Sequence, residues 1–354
     1  MNTSRHSEYS KAATRAGLHY VTDDYTGISR RRAGKGWSYF DADGTRIGDP
    51  LARKRLNALA IPPAWESVWI CPDPEGHIQV TARDARGRKQ YHYHPLYREA
   101  RDQSKFRHMF EFSEILPVLR EQVERDLRAG EQTRRQLLAS VVWLLDKTLI
   151  RIGNDEYART NHSYGLTTML KKHAKVHGTQ LRFSFRGKSG VEHIVAVDDP
   201  RLARIVQRSQ ALHGHEIFQY VDDDGTRKPI LSDDVNEYLR EVSGRDITAK
   251  DFRTWGGTMV AAVTLRTIGP AASKSEADHN IVRALDAVAE RLGNTRTVCR
   301  KYYVHPALLH AYHLGFTAPY APLPETRSAL RKLPQAALRR DELVVLQFLH
   351  ESAA

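Results

Sequence analysis

Near residue 100 the apolar residues change their spacing, and no other feature constrains the fold of this chain so strongly. Before it, short runs fit strands: Trp37 to Ile47 around an Asp41-Ala42-Asp43-Gly44 turn, Val68 to Cys71, His77 to Ala82 and Lys89 to His94. After it, apolar residues recur every three or four positions, as in Ile115, Leu119, Val123 and Leu127, then Leu138, Val141, Leu145 and Leu149. A period of 3.6 lines one face of a helix and a period of 2 one face of a strand, so the two patterns are not interchangeable. The spacing predicts an α+β chain: a small β-rich N-terminal domain over residues 1–100, then a larger, mainly α-helical domain over 101–354 containing a small antiparallel sheet.

Punctuating residues refine this outline. Residues 1–22 are polar with little periodicity and read as a partly mobile arm. Asp49-Pro50 opens a short helix that Pro62-Pro63 ends, and the charged stretch Tyr97 to Lys105 reads as a linker. Ser113 is positioned to cap a helix with Pro117 in its first turns and Gly130 at its end, and a second helix starts near Arg134. Leu181, Phe183 and Phe185 alternate with polar residues before Gly187-Lys188-Ser189-Gly190 and a second strand through Val197, which places Lys188 at the tip of a hairpin. Helices are expected at Asp233 to Val242, Thr248 to Leu265, Ser275 to Leu292 and about Gln335 to His350. Gly293 suits the end of the third of these, and Thr295 caps a new short helix that brings Tyr303 to its far end, amid Arg296, Arg300 and Lys301.

The charge points to the partner. The chain carries 54 Lys+Arg against 42 Asp+Glu, a net +12. Residues 1–100 hold 16 basic and 11 acidic side chains, and the remainder 38 and 31, so both parts are basic. A polyanion, foremost nucleic acid, is the expected partner, and two basic domains suggest a monomer that clamps it. Two distant cysteines, Cys71 and Cys299, support neither a disulfide scaffold nor a thiolate zinc site. With no apolar leader pattern in Met1 to Tyr20, the expectation is a cytoplasmic, nucleoid-associated protein rather than a membrane protein.

Three motif fragments dissolve on inspection. Gly187-Lys188-Ser189 lacks the glycine that a phosphate-binding P-loop needs at position 182, where Arg stands, and a strand follows it. His215-Glu216-Ile217-Phe218-Gln219 has Gln where a zinc-protease helix needs its second His, and Gly34-Lys35-Gly36 lacks the third glycine of a dinucleotide site. No cofactor and no metal are expected. The strand Arg88 to His94 has no aliphatic residue on either face: Gln90, His92 and His94 lie on one side, Lys89, Tyr91 and Tyr93 on the other. It reads equally as a nucleic-acid contact surface and as an edge strand with aromatic cross-strand pairs.

Four segments then stand in order: Arg151-Ile152-Gly153-Asn154-Asp155-Glu156-Tyr157; Gly187-Lys188; Lys250-Asp251-Phe252-Arg253-Thr254-Trp255-Gly256; and Gly293-Asn294 followed by Tyr303. Together they resemble the type IB DNA topoisomerases, in particular the compact poxvirus-like and bacterial members, and Gly87 to Tyr93 is similar to the DNA-contacting strand of that family's first domain. Singly, Arg151 reads as a helix-end cation, Arg253 as an ion-pair partner and Lys188 as a solvated turn residue. Their joint occurrence, with Tyr303 nine residues after Asn294, reverses that reading.

The resemblance implies a catalytic set of Tyr303 as nucleophile, Arg151 and Arg253 as guanidiniums on the phosphate, Lys188 as general acid and Asn294 as a phosphate ligand. It also implies DNA contacts from Gln90, Tyr91, Tyr93, Tyr157 and Lys250. The implied activity is relaxation of supercoiled duplex by transient cleavage of one strand through a 3′-phosphotyrosyl link, without ATP or a divalent ion. Fixed guanidiniums stabilise charge on the non-bridging oxygens, a lysine beside other cations protonates the leaving 5′ oxygen, and the covalent link stores the bond energy. Many family members carry histidine where this chain has Asn294, which donates a hydrogen bond but bears no charge. Tyr302 is a second candidate nucleophile, read instead as a packing residue. A tyrosine recombinase or integrase shares this chemistry but commonly has His where Lys250 stands, and a non-catalytic DNA-binding protein explains the charge but not the four segments.

Overall fold

The structure is a computed structural model that describes residues 3–34, 36–128, 133–318 and 339–353, with the backbone alone for 3–8, 102–105, 107 and 353. The chain divides into two compact units, residues 1–107 and 108–354.

The first unit holds helix α1 (Thr3–Arg15), a hairpin of β1 (Ser29–Ala33) and β2 (Gly36–Phe40), helix α2 (Pro50–Ala58) and an antiparallel sheet in the order β3 (Glu66–Ile70), β4 (Ile78–Arg83), β5 (Lys89–Tyr93). The polar N-terminus is thus not an unstructured arm. Ala13 and Leu18 bury themselves against Tyr97, and His19 pairs with Asp73 at 2.6 Å. The Trp37–Ile47 segment forms the expected hairpin in short form: across the Asp41–Gly44 turn Phe40 bridges Arg46, the Asp41 amide donates to the Thr45 carbonyl at 3.0 Å and the Ile47 amide to the Tyr39 carbonyl at 2.9 Å, while its first half also pairs with β1, in register Ser29↔Phe40 to Ala33↔Gly36. Asp49 caps α2 by accepting from the Ala52 amide at 2.7 Å, with Pro50 in the first turn, as the Asp-Pro pair implies. Ile28, Tyr39, Leu56, Ile61, Ile70 and Val80 close this unit's core.

Helix α3 (Pro95–Arg128) corrects two expectations at once. The stretch Tyr97 to Lys105 is helical rather than a linker, and Ser113 caps nothing: it lies in mid-helix, donating its hydroxyl to the Phe110 carbonyl at 2.7 Å. Pro117 removes one helical hydrogen bond, at a cost of about 3 kcal/mol. Against that, Met109, Phe112, Leu116, Leu119, Val123 and Leu127 are all buried, each worth roughly 1.5–3 kcal/mol. Burial wins, and the helix runs through the proline. Gly130, expected at its end, lies outside the described residues.

In the second unit, α4 (Arg134–Thr148), capped by Thr133, is buried on nearly every face. Short α5 (Asp155–Asn161) follows, then a sheet in the order β6 (Ala174–His177), β7 (Gln180–Arg186), β8 (Glu192–Asp198), with Gly187–Gly190 at the β7–β8 turn. The alternation of buried Leu181, Phe183 and Phe185 with exposed Arg182, Ser184 and Arg186 matches the pattern read from the sequence. Next come α6 (Pro200–Ala211), the hairpin β9 (Gln219–Val221) and β10 (Arg227–Pro229), α7 (Ser232–Ser243), α8 (Ala249–Ile268), α9 (Lys274–Leu292), α10 (Arg296–Tyr302), α11 (Pro306–His313) and α12 (Arg340–Ala353). One continuous core joins these helices to β7. No helix among the described residues is long and apolar enough to cross a membrane.

Candidate active site

Helix α8 is the element on which the site is assembled. Arg253, in its second turn, is 5% exposed. Its guanidinium donates to the carbonyl of Leu149, at the end of α4, and to that of Leu292, the last residue of α9, at 2.9 Å. Both acceptors are helix-terminal carbonyls without an intrahelical donor, so Arg253 satisfies two helix ends with one side chain. Leu149 adopts a left-handed conformation (φ +59°), which turns the chain from α4 toward Arg151.

Arg151 is half-buried at the same α9 terminus, sharing the Leu292 carbonyl with Arg253. It donates to Asn294 Oδ1 at 2.7 Å, to the Gly293 carbonyl at 3.3 Å and to the Leu292 carbonyl at 3.5 Å. Its own carbonyl accepts from Leu166 at 2.9 Å, and Gly165 packs so closely on it that a Cβ there would lie 2.5 Å from the Arg151 oxygen. Burial, and after it the charge of Arg253, pushes the Arg151 guanidinium down to about 10; burial likewise lowers Arg253. Among the described residues neither guanidinium has a carboxylate within ion-pairing distance, although both lie largely out of water.

Tyr303 caps the C-terminus of α10, its amide bonded to the Cys299 carbonyl at 2.9 Å. Thr295 caps the other end of that helix by accepting from the Val298 amide. The Arg253 guanidinium carbon stands 5.2 Å from the centre of the Tyr303 ring. A glycine pair in α8 permits this approach. A Cβ on Gly256 would lie 2.5 Å from the Leu149 side chain, and one on Gly257 would lie 2.7 Å from the Tyr303 carbonyl oxygen. Thr258 then donates its hydroxyl to that carbonyl at 3.2 Å and accepts from the His305 amide at 3.1 Å. Two adjacent glycines cost a helix about 1 kcal/mol each. Here they hold Arg253, Leu149 and Tyr303 in contact.

Two buried donors in this cluster are unsatisfied: Arg253 Nε and Asn294 Nδ2. Asn294 itself is fixed, its amide donating to the Ala289 carbonyl at 3.0 Å as α9 ends at Gly293 (φ +57°). Buried unpaired donors beside two uncompensated guanidiniums are costly alone and suit an anion.

The structure thus joins Arg151, Arg253, Asn294 and Tyr303 by direct contacts. Lys188 is exposed on its turn, and the link from that turn to the others is His193 on β8. Tyr302 is 40% exposed with Lys301 over its ring at 5.3 Å, so it is not the packing residue expected, and Tyr303 is the tyrosine that meets Arg253. Tyr157 and Lys250 are exposed, on α5 and in the first turn of α8. In the first unit, β5 is an edge strand whose Tyr91 stacks on Tyr93 (5.9 Å, 11°) and Tyr93 on Tyr97 (5.4 Å, 29°), while Gln90 donates to Asp84 at 2.9 Å. The strand lies at the sheet edge, but its tyrosines stack along the strand and onto α3 rather than in aromatic cross-strand pairs: Tyr91 stands opposite Thr81 and Tyr93 opposite Ile78. Sequence reasoning quoted Gly256 within its segment without a role and missed Gly257, Thr258 and His193; consecutive glycines inside an apolar helical stripe were the available signal for the glycine pair.

Comparison with known proteins agrees with this geometry. Residues 94–316 match the family described as eukaryotic DNA topoisomerase I, catalytic core, and residues 36–84 match the bacterial DNA topoisomerase IB N-terminal domain. DNA topoisomerase 1B of Acanthamoeba polyphaga mimivirus is 30% identical over 294 residues, covering 81% of this chain and 87% of its own. DNA topoisomerase 1B of Vaccinia virus (strain Copenhagen) is 20% identical over 231 residues, 64% of this chain and 69% of its own. The mitochondrial DNA topoisomerase I of Rattus norvegicus is 23% identical over 163 residues, 44% of this chain and 26% of its own. A catalytic-core match spanning more than half of the chain, and a viral relative aligned over four fifths of it, place this enzyme in the type IB DNA topoisomerase family.

Proposed function

We propose that this enzyme relaxes supercoiled duplex DNA by cutting and resealing one strand through Tyr303. The observation that carries the reading is the pair of guanidiniums, Arg253 buried and Arg151 half-buried, without a carboxylate partner among the described residues and with orphan donors on Arg253 and Asn294 beside them. A phosphodiester supplies the missing anion. Its two non-bridging oxygens take up Arg253 Nε, Asn294 Nδ2 and the free edges of the guanidiniums, and the charge that builds on them in the transition state meets donors already in place. The Tyr303 oxygen attacks phosphorus, the bond to the 5′ oxygen breaks, and a 3′-phosphotyrosyl link forms. The phenolic proton leaves to solvent while the Lys188 ammonium gives one to the 5′ oxygen, so the step is neutral in protons overall. Resealing is the reverse, after the free 5′ end has rotated.

Asn294 contributes by hydrogen bonding alone, so its part does not titrate. The stacked face of Tyr91 and Tyr93, with Gln90, Tyr157 and Lys250, is proposed as duplex contact. Both units are basic, as a partner with a charged backbone requires.

The test is relaxation of supercoiled plasmid in EDTA without ATP. Wild type is expected to relax both positive and negative supercoils and to leave a covalent protein–DNA adduct on denaturation. Tyr303→Phe should lose both activities and Tyr302→Phe should retain them. Equal relaxation by Tyr303→Phe, or none by wild type, contradicts the proposal.

A further inference from the structure

We propose that His193 is a positioning residue for Lys188: its imidazole is the wedge that keys the β7–β8 turn to the Gly293–Asn294 turn and so aims the lysine at the scissile phosphate. The inference rests on the general-acid reading of Lys188 given above.

The ring is gripped from three sides. In the β7–β8 register His193 stands opposite Phe185, and the two rings stack at 5.1 Å and 13°. A Cβ placed on Gly187 would fall 2.6 Å from His193 Cδ2 and 2.7 Å from Nε2. One placed on Gly293 would fall 2.3 Å from Cε1 and 2.7 Å from Nε2. Real Cβ atoms do not approach ring atoms so closely, so the imidazole fills the space that side chains would take at the residue before Lys188 and at the residue before Asn294. At Gly187 the backbone itself (φ −95°) tolerates a side chain, and only the ring opposes one.

The Lys188 turn needs such a key. Its own hydrogen bonds, Gly187 amide to Val191 carbonyl at 2.7 Å and Gly190 amide to Gly187 carbonyl at 3.1 Å, close the turn on itself without tying it to either arginine. The Lys188 side chain is exposed. Asn294, by contrast, is fixed independently by Arg151 and by the end of α9. Loss of the wedge therefore frees the lysine first. The wedge must also be uncharged, because it lies near two guanidiniums. Burial, followed by the charges of Arg151 and Arg253, lowers the imidazole's proton affinity against a weaker opposite pull from Glu192. A displacement of about 1 Å in a reacting group costs on the order of 10²-fold in rate.

The experiment compares single-turnover cleavage of two duplex oligonucleotides that carry a cleavage site mapped on plasmid DNA. One has the normal 5′ oxygen at the scissile bond and the other a bridging 5′ sulfur, whose thiolate leaves without a proton. His193→Ala should cleave the oxygen substrate at least about tenfold more slowly than wild type and the sulfur substrate within a few-fold of it. Duplex binding, measured in a Tyr303→Phe background, should be unchanged. Gly187→Ala, which pushes a methyl into the same ring, should show the same pattern, and its defect should shrink in the His193→Ala background because the ring it collides with is gone.

Wild-type cleavage of the oxygen substrate by His193→Ala overturns the proposal. So does an equal defect on both substrates, which would put His193 on the phosphate-binding side. Lys188→Ala is the control: if sulfur does not rescue it, the general-acid reading of Lys188 fails and this inference with it, whereas rescue of Lys188→Ala without rescue of His193→Ala removes the inference alone.

Discussion

At the scale of single residues, the glycines of α8 decide more than its charges. Gly257 stands in mid-helix, where replacement by alanine raises helix propensity by about 1 kcal/mol. The added methyl would lie 2.7 Å from the Tyr303 carbonyl oxygen, 3.0 Å from its Cβ and 3.3 Å from Leu292 Cδ1. Backbone atoms cannot rotate away, so overpacking at about 1–3 kcal/mol outweighs the propensity gain. Gly257→Ala is expected to lower unfolding free energy in urea by roughly that amount and to reduce strand cleavage; a variant more stable than wild type would show the helix preference to dominate. Arg151, Lys188, Arg253, Asn294 and Tyr303 were singled out in the sequence by their resemblance, in order and spacing, to a known family, and side chains of these types suit phosphoryl chemistry. Gly257 and His193 were not, because their importance lies in what passes within 3 Å of them, and those neighbours come from elements far away in the chain.

Two helix-to-helix ties set the frame at the scale of elements. The first lies under α12, where Arg120 of α3 donates to Glu342 at 2.8 and 2.9 Å and to Asp146 of α4 at 2.8 Å, and Trp255 of α8 donates to Glu342 at 3.1 Å. Arg120 and Glu342 are buried, Asp146 partly so. Removing Glu342 leaves Arg120 with Asp146 as its remaining carboxylate and orphans the Trp255 indole donor, so Glu342→Ala should cost about 1–3 kcal/mol in denaturant unfolding. Arg339→Ala, at an exposed ion pair of 3.5 Å with Asp146, should cost about 0–1 kcal/mol. Similar losses for both would contradict the burial argument. The second tie joins α3 to the start of α8. His108 meets Glu111 at 3.3 Å and Asp251 at 3.6 Å, and Asp251 in turn accepts from the Thr248 amide and hydroxyl to cap α8. The Asp251 partner, against the pull of burial, pushes His108 up to about 9. A raised pKa means the folded state binds the proton more tightly than the unfolded chain does, so the fold is stabilised wherever the folded histidine is protonated. That contribution is complete below pH ~6.5 and fades as pH rises through about 9. The melting temperature of wild type should therefore fall more between pH 7 and 9.5 than that of His108→Gln, and parallel curves would refute this. Helix starts with strong caps, such as those at Asp49 and Thr295, were readable from sequence. The α3 helix was misread because Ser113, Pro117 and the polar Tyr97–Lys105 run are local signals, and a buried apolar face of greater energy overrides them.

The whole molecule is a cation of +12 with basic side chains in excess in both parts of the chain. Affinity for duplex DNA should fall linearly on a log–log scale with salt, with a slope near −0.9 per phosphate contacted. Six to ten contacts lose on the order of 10³-fold or more between 50 and 200 mM. Fluorescence anisotropy of a labelled duplex reads this directly, and a flat dependence would remove the phosphate backbone as the main source of affinity. The sequence by itself determined the class of the fold, since hydrophobic period sets helix or strand locally, and its resemblance to a known family singled out candidate side chains of the types that suit the proposed phosphoryl transfer. Tertiary structure decided that Tyr303, the tyrosine its spacing favoured, meets Arg253, how α4, α8 and α9 converge to bury Arg253 and half-bury Arg151 with no carboxylate beside them among the described residues, and that one imidazole fills the gap between Gly187 and Gly293. Those outcomes depend mainly on contacts between residues 39 to 143 positions apart, set by packing that no local pattern encodes.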